Sequence, residues 1–153
     1  MSSHKTPLKT LQELAHTRVD EATRRLGELI ASEQACEIKL QTLRQYRAEY
    51  QERFMETARN GIDPNAWRNY SSFLARLDDA ISSQQQVVER SHTATANGQQ
   101  HWVSEHTRAK AFDTLSQRQL LQENKLLNKR EQQQNDEHAI KNFRRHHHEE
   151  GGI

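Results

Sequence analysis

The chain has 153 residues, enough for one domain, but only 33% are hydrophobic and 28% are charged, too little apolar side chain for an ordinary compact globule. Its mean hydropathy is -1.09, yet two prolines and five glycines are few for a disordered chain, so the better reading is long helices sharing a thin apolar seam. Twenty-two basic residues against 21 acidic ones, a formal charge of +1, lack the basic excess of a nucleic-acid protein.

Nothing reads as a transmembrane span, which takes ~20 consecutive apolar residues. Met1 to Thr10 carries no apolar run of a secretory signal. Cys36 is the only cysteine, so no internal disulfide forms, and a reducing cytoplasm is the expected home.

In the first half of the chain, Val19, Ala22, Leu26, Leu29, Glu33, Cys36, Leu40, Leu43, Arg47, Tyr50 and Phe54 recur in alternating steps of three and four. This is a heptad seam with two polar interruptions, Glu33 and Arg47. Leu8, Leu11 and Ala15 extend it upstream with one stutter before Val19, a device that locally unwinds a left-handed supercoil. Asp20 with Arg24, Glu21 with Arg25 and Glu49 with Arg53 stand at the spacing of i, i+4 ion pairs on the outer face. The first helix is predicted over about 5–59.

The run Asn60-Gly61-Ile62-Asp63-Pro64 stops it. It supplies a glycine for a helix C-cap, an aspartate for an N-cap and a proline for the first position of a new helix. A turn at 60–63 this short makes the two helices antiparallel neighbours. Folding back at Gly61 brings Leu43 towards Ala80 and Tyr50 towards Phe73.

The second helix is predicted over about 64–143. Trp67, Tyr70, Leu74, Leu77, Ile81, Gln84 and Val88 resume the heptads, which weaken through Ser91, Thr95 and Gly98 and return at Trp102, Ala109 and Phe112. Asn97-Gly98 is a soft point, read as a possible kink in a continuous helix. At ~1.5 Å per residue the first arm is roughly 80 Å long and the second exceeds roughly 110 Å. The first arm runs out opposite about residue 118. Beyond it, the Gln- and Asn-rich stretch keeps Leu120, Leu121, Leu126 and Leu127. His146 to Ile153 is expected to be disordered. The fold class is therefore all-α: an antiparallel two-helix coiled-coil hairpin with unequal arms, the second helix overhanging, in a single coiled-coil domain over 1–153.

No phosphate loop, no glycine-rich dinucleotide motif and no CxxC pair is present, so neither catalysis nor a cofactor is expected. His146-His147-His148 with Glu149 and Glu150 reads as a solvated tail and not as a metal site, because consecutive residues in a loose tail give no fixed geometry. Cys36 reads as a small seam hydrophobe. One feature exceeds what a seam needs: Phe73 and Ala80 flank the seam positions, and Phe73, Leu77, Ala80 and Gln84 form their own stripe. The stripe reads either as side chains folding over the seam or as an exposed apolar strip that recruits a partner. The unpartnered Leu120 to Leu127 segment is a second docking candidate.

Leu43-x-x-Tyr46-x-x-x-Tyr50, then Gly61-Ile62, then Trp67-x-Asn69-Tyr70-x-x-Phe73-Leu74-x-x-Leu77-x-x-Ala80-Ile81 resembles the flagellar FliJ family. The N-terminal Leu8-x-x-Leu11-x-x-x-Ala15-x-x-x-Val19-x-x-Ala22-x-x-x-Leu26-Gly27 fits it too, and the likeness covers roughly residues 8–125. The resemblance implies a general chaperone and central-stalk protein of the flagellar type III export apparatus, similar in fold to the rotor shaft of F-type ATPases. It implies binding to the export ATPase, to the cytoplasmic domain of the export gate and to substrate-specific export chaperones, with peripheral attachment to the cell membrane through that complex. Phe73, Leu77, Ala80 and Gln84 match the family's gate contact, although position 84 carries Gln where the family has shown histidine. By the shaft analogy, the end holding the termini meets the ATPase, which points to Leu8, Leu11, Leu120, Leu121 and Leu127. A virulence-type secretion stalk and a generic dimerising coiled-coil adaptor are the alternatives.

Overall fold

A computed structural model describes residues 6–151, folded as two α-helices, α1 (Pro7–Arg59) and α2 (Pro64–Glu150), with no strand among them. Thr6 starts α1. Its hydroxyl accepts from the amide of Lys9 at 3.3 Å and its carbonyl from that of Thr10 at 3.2 Å, while Pro7 fills the first position, where no amide donor is needed. The expected start at residue 5 lies outside the described residues.

The connection is built as the sequence indicates. The amides of Asn60 and Gly61 close tight bonds of 3.2 Å onto the carbonyls of Thr57 and Ala58. Gly61 then turns the chain at a φ of +93°, a conformation any side chain would strain. The Asp63 carbonyl accepts the first bond of α2, from Trp67 at 3.1 Å, with Pro64 at the first helical position.

The chain comprises two compact units, one of residues 17–106, the other of residues up to His16 together with those from Thr107. In the first, Thr23 meets Trp102, Leu29 meets Thr95, Cys36 meets Gln84 and Phe54 meets Trp67. Rising numbers on α1 pair with falling numbers on α2, so the helices are antiparallel. Tyr50 lies against Phe73 with ring centroids 4.5 Å apart, as folding back at Gly61 requires. In the second unit, the Gln12 amide and the His16 ring both reach Asp113, at 2.6 and 2.7 Å.

Every buried or half-buried residue of α1 falls on one alternation of four and three, from Leu8 through Gln12, Ala15 and Val19 to Phe54. The expected stutter is absent. It arises from assigning Leu11 to the seam; Leu11 is exposed, and Gln12 takes the place. A polar side chain holds a seam position here because its amide finds Asp113. Glu33 and Arg47 hold theirs for the same reason, through His92 and Asp78. Of the expected outer-face pairs, Arg25 instead meets Glu28, at 3.4 Å.

On α2 the seam runs in unbroken heptads from Tyr70 to Gln119. The helix is continuous through Gly98. A Cβ built there would stand 2.5 Å from Leu29 Cδ1: the missing side chain makes room for a leucine of the facing helix. From Leu120 onward every described residue is exposed. The helix nevertheless continues past the expected end near residue 143 and through the stretch expected to be disordered, to Glu150. No proline or glycine interrupts it before Gly151, and Arg144, Arg145 and the histidines of the last turns complement the negative end of the helix dipole. Residues 152 and 153 lie outside the described residues.

Candidate functional site: two exposed apolar surfaces

Beside the Gly61 turn the seam becomes a stack of aromatic rings. Phe54 stacks on Tyr70 (centroids 3.4 Å, interplanar 11°), Tyr70 on Tyr50 (5.0 Å, 7°), and Phe73 meets both Tyr50 and, edge-on at 6.3 Å, Tyr46. Trp67 packs on Phe54 at 5.0 Å. Such pairs contribute roughly 0.5–1.5 kcal/mol each beyond the area they bury. The Tyr70 hydroxyl is buried with no hydrogen-bond partner among the described residues. That burial, and then the neighbouring Tyr50, push its pKa up, so it stays neutral. Trp67 (53% exposed), Tyr46 and Met55 leave apolar surface open around the stack.

The stripe read from the sequence is divided by the fold. Leu77 and Gln84 are buried, at 8% and 7% exposure, and Gln84 spends its amide on the Cys36 carbonyl at 3.0 Å. Phe73 is half-buried over Tyr46 and Tyr50, and Ala80 is exposed. What remains accessible here is the outer edge of Phe73, Ala80 and the Tyr46 ring.

The second surface is the part of α2 that α1 does not cover. Leu120, Leu121, Leu126 and Leu127 are each more than half exposed, as are Ile140 and Phe143. Leu120 joins Leu8, Gln12, Ser116 and Gln119 around a shallow groove where α1 begins, with Leu8 half-buried and Leu11 exposed. The five residues expected to meet an ATPase thus belong to one unit: Leu8, Leu11 and Leu120 near the groove, Leu121 and Leu127 further along α2.

A cluster that the sequence reading did not assemble lies in the middle of residues 17–106. His92 faces Glu33 through Nδ1 and Glu37 through Nε2, the latter at 3.2 Å. One donor atom from each of the three residues lies within 4.8 Å of the others, close enough to hold a metal ion. The Thr95 hydroxyl and then the His92 ring hold the Glu33 carboxyl below its ordinary pKa, against desolvation. Asp113 is likewise lowered by His16 and Gln12, and hydrogen bonding to Asp78 raises Arg47. The signal for the cluster was present: a carboxylate on the seam, a second one turn later, and a histidine at the matching fold-back position.

Two helices joined by one tight turn, with a seam pinned by polar pairs and large side chains left open, define a coiled-coil hairpin. The model of the family described as flagellar FliJ protein matches residues 4–148. The flagellar FliJ protein of Escherichia coli (strain K12) is 33% identical over 127 residues, covering 80% of this chain and 86% of the relative, and that of Salmonella typhi matches to the same extent. The chain belongs to the flagellar FliJ family. No helix among the described residues is long and apolar enough to cross a membrane.

Proposed function

We propose that this chain is a stalk and general chaperone of flagellar protein export, docking between the export ATPase and the cytoplasmic domain of the export gate and serving substrate-specific export chaperones. The observation that carries the reading is family membership over nearly the whole length. Its chemistry is binding; hydrolysis belongs to the ATPase. The chain works in the cytoplasm, at the inner face of the cell membrane, held there by the complex.

Leu120, Leu121 and Leu127, with Leu8 and Leu11, form the ATPase contact. The exposure of Leu11, Leu120, Leu121 and Leu127 supports this, because an amphipathic helix face without an internal partner gains by entering a groove on another protein. Phe73 and Ala80 form the gate contact, with Leu77 and Gln84 fixing their position from inside the seam. Large aromatic side chains with an open edge are the type that anchors protein interfaces.

ATP hydrolysis by the cognate flagellar export ATPase tests the reading, measured with and without this chain and with a form truncated after Gln119. Stimulation by the full chain and its loss on truncation are expected. No stimulation and no co-elution with the ATPase would leave an ordinary coiled-coil adaptor. On the stripe, Ala80→Glu is expected to weaken capture by the gate domain while ATPase stimulation persists.

A further inference from the structure

Glu33, Glu37 and His92 have no part in the export reading, and two features separate them from incidental surface charges. Glu33 stands on the heptad seam, where a carboxylate is costly to bury unless answered, and its side chain is only 19% exposed. Glu37 lies one turn further along α1, on the same face. The third group comes from the other helix: His92 presents one ring nitrogen to each carboxylate. Two helices fixed in register by Gln84 on Cys36 thus bring three ionisable groups together at a defined place.

We propose that Glu33, Glu37 and His92 form a binding site for a divalent transition-metal ion of the zinc class. The mixed set of two carboxylate oxygens and one imidazole nitrogen suits such borderline ions, whereas magnesium and calcium favour all-oxygen sets. Ligand bonds to zinc are about 2.0–2.2 Å. Donor atoms within 4.8 Å of one another therefore need only small side-chain rotations to close around one ion. Water completes the coordination, since both Glu37 and His92 are about half exposed. Because the donors come from α1 and α2, the ion ties the helices together and fixes their register in the middle of residues 17–106.

The test is zinc binding to the full chain by titration calorimetry, with cobalt absorption to report coordination. The chain carries His101→Ala, His138→Ala, His146→Ala, His147→Ala and His148→Ala to silence the other exposed histidines of α2. One ion per chain is expected, with a rise in the thermal unfolding midpoint that a chelator reverses. Glu37→Gln and His92→Gln are each expected to weaken binding at least about tenfold, with helix content unchanged in both and metal-free melting unchanged in Glu37→Gln. Glu37 is exposed and off the seam, so a loss of metal affinity there is not explained by a disturbed fold. Absence of zinc binding, or binding that survives both substitutions, would overturn the proposal. Neither outcome bears on the export role.

Discussion

The side-chain amide of Gln84 on α2 donates to the main-chain carbonyl of Cys36 on α1 at 3.0 Å. This buried polar contact fixes which turn of one helix faces which turn of the other. The bond satisfies a group that would otherwise be desolvated without a partner. Gln84→Ala is expected to cost about 1–2 kcal/mol in urea unfolding followed by helical circular dichroism. Gln84→Leu keeps the volume and suits the seam, so its stability is expected to lie within about 1.5 kcal/mol of the wild type. A Leu variant as unstable as the Ala one would mean that the amide, and not the volume, dominates.

Leu29 Cδ1 occupies the space that a side chain at position 98 would need. Gly98→Val forces its new side chain onto Leu29 Cδ1, and overpacking of this kind costs typically about 1–3 kcal/mol. In a Leu29→Ala background the penalty is expected to shrink, because the blocking methyl is gone. A double-mutant cycle on urea midpoints measures it. Equal penalties in both backgrounds would show that the facing leucine is not what excludes a side chain at position 98.

Acid weakens the fold through two carboxylates. Glu33 and Asp113 sit below their ordinary values of 4.5 and 3.8 in the folded chain. A depressed carboxyl contributes stability that is fully present above its unfolded pKa and is lost as pH falls through the folded one. The urea midpoint of the wild type is therefore expected to drop, as pH falls below the ordinary values of 4.5 and 3.8, more steeply than that of Glu33→Gln with Asp113→Asn. Parallel curves would assign acid sensitivity to other groups.

The uncovered leucines are expected to matter for binding and not for folding. Leu121→Ser and Leu127→Ser remove side chains that are more than half exposed, so the unfolding free energy is expected to change by less than about 0.5 kcal/mol. Stimulation of the export ATPase is expected to fall with the same substitutions. Loss of stability without loss of stimulation would place the ATPase contact elsewhere.

The helices, their turn and their antiparallel sense were legible in the sequence. The heptad spacing names nearly all of the seam, and the run from Asn60 to Pro64 contains the stop, the left-handed residue and the restart in five positions. Those signals are local: periodicity, capping and a glycine's freedom act over one or two turns of chain. The tertiary structure decided what depends on the neighbour across the seam. It put Gln12 in place of Leu11, because Asp113 of α2 answers an amide there. It gave the seam amide of Gln84 its partner, the Cys36 carbonyl. It gathered Glu33, Glu37 and His92, whose proximity is set by the stagger of two helices. Apolar spacing constrains one helix at a time, whereas a hydrogen bond or an ion site needs the distance between two, and packing fixes that distance.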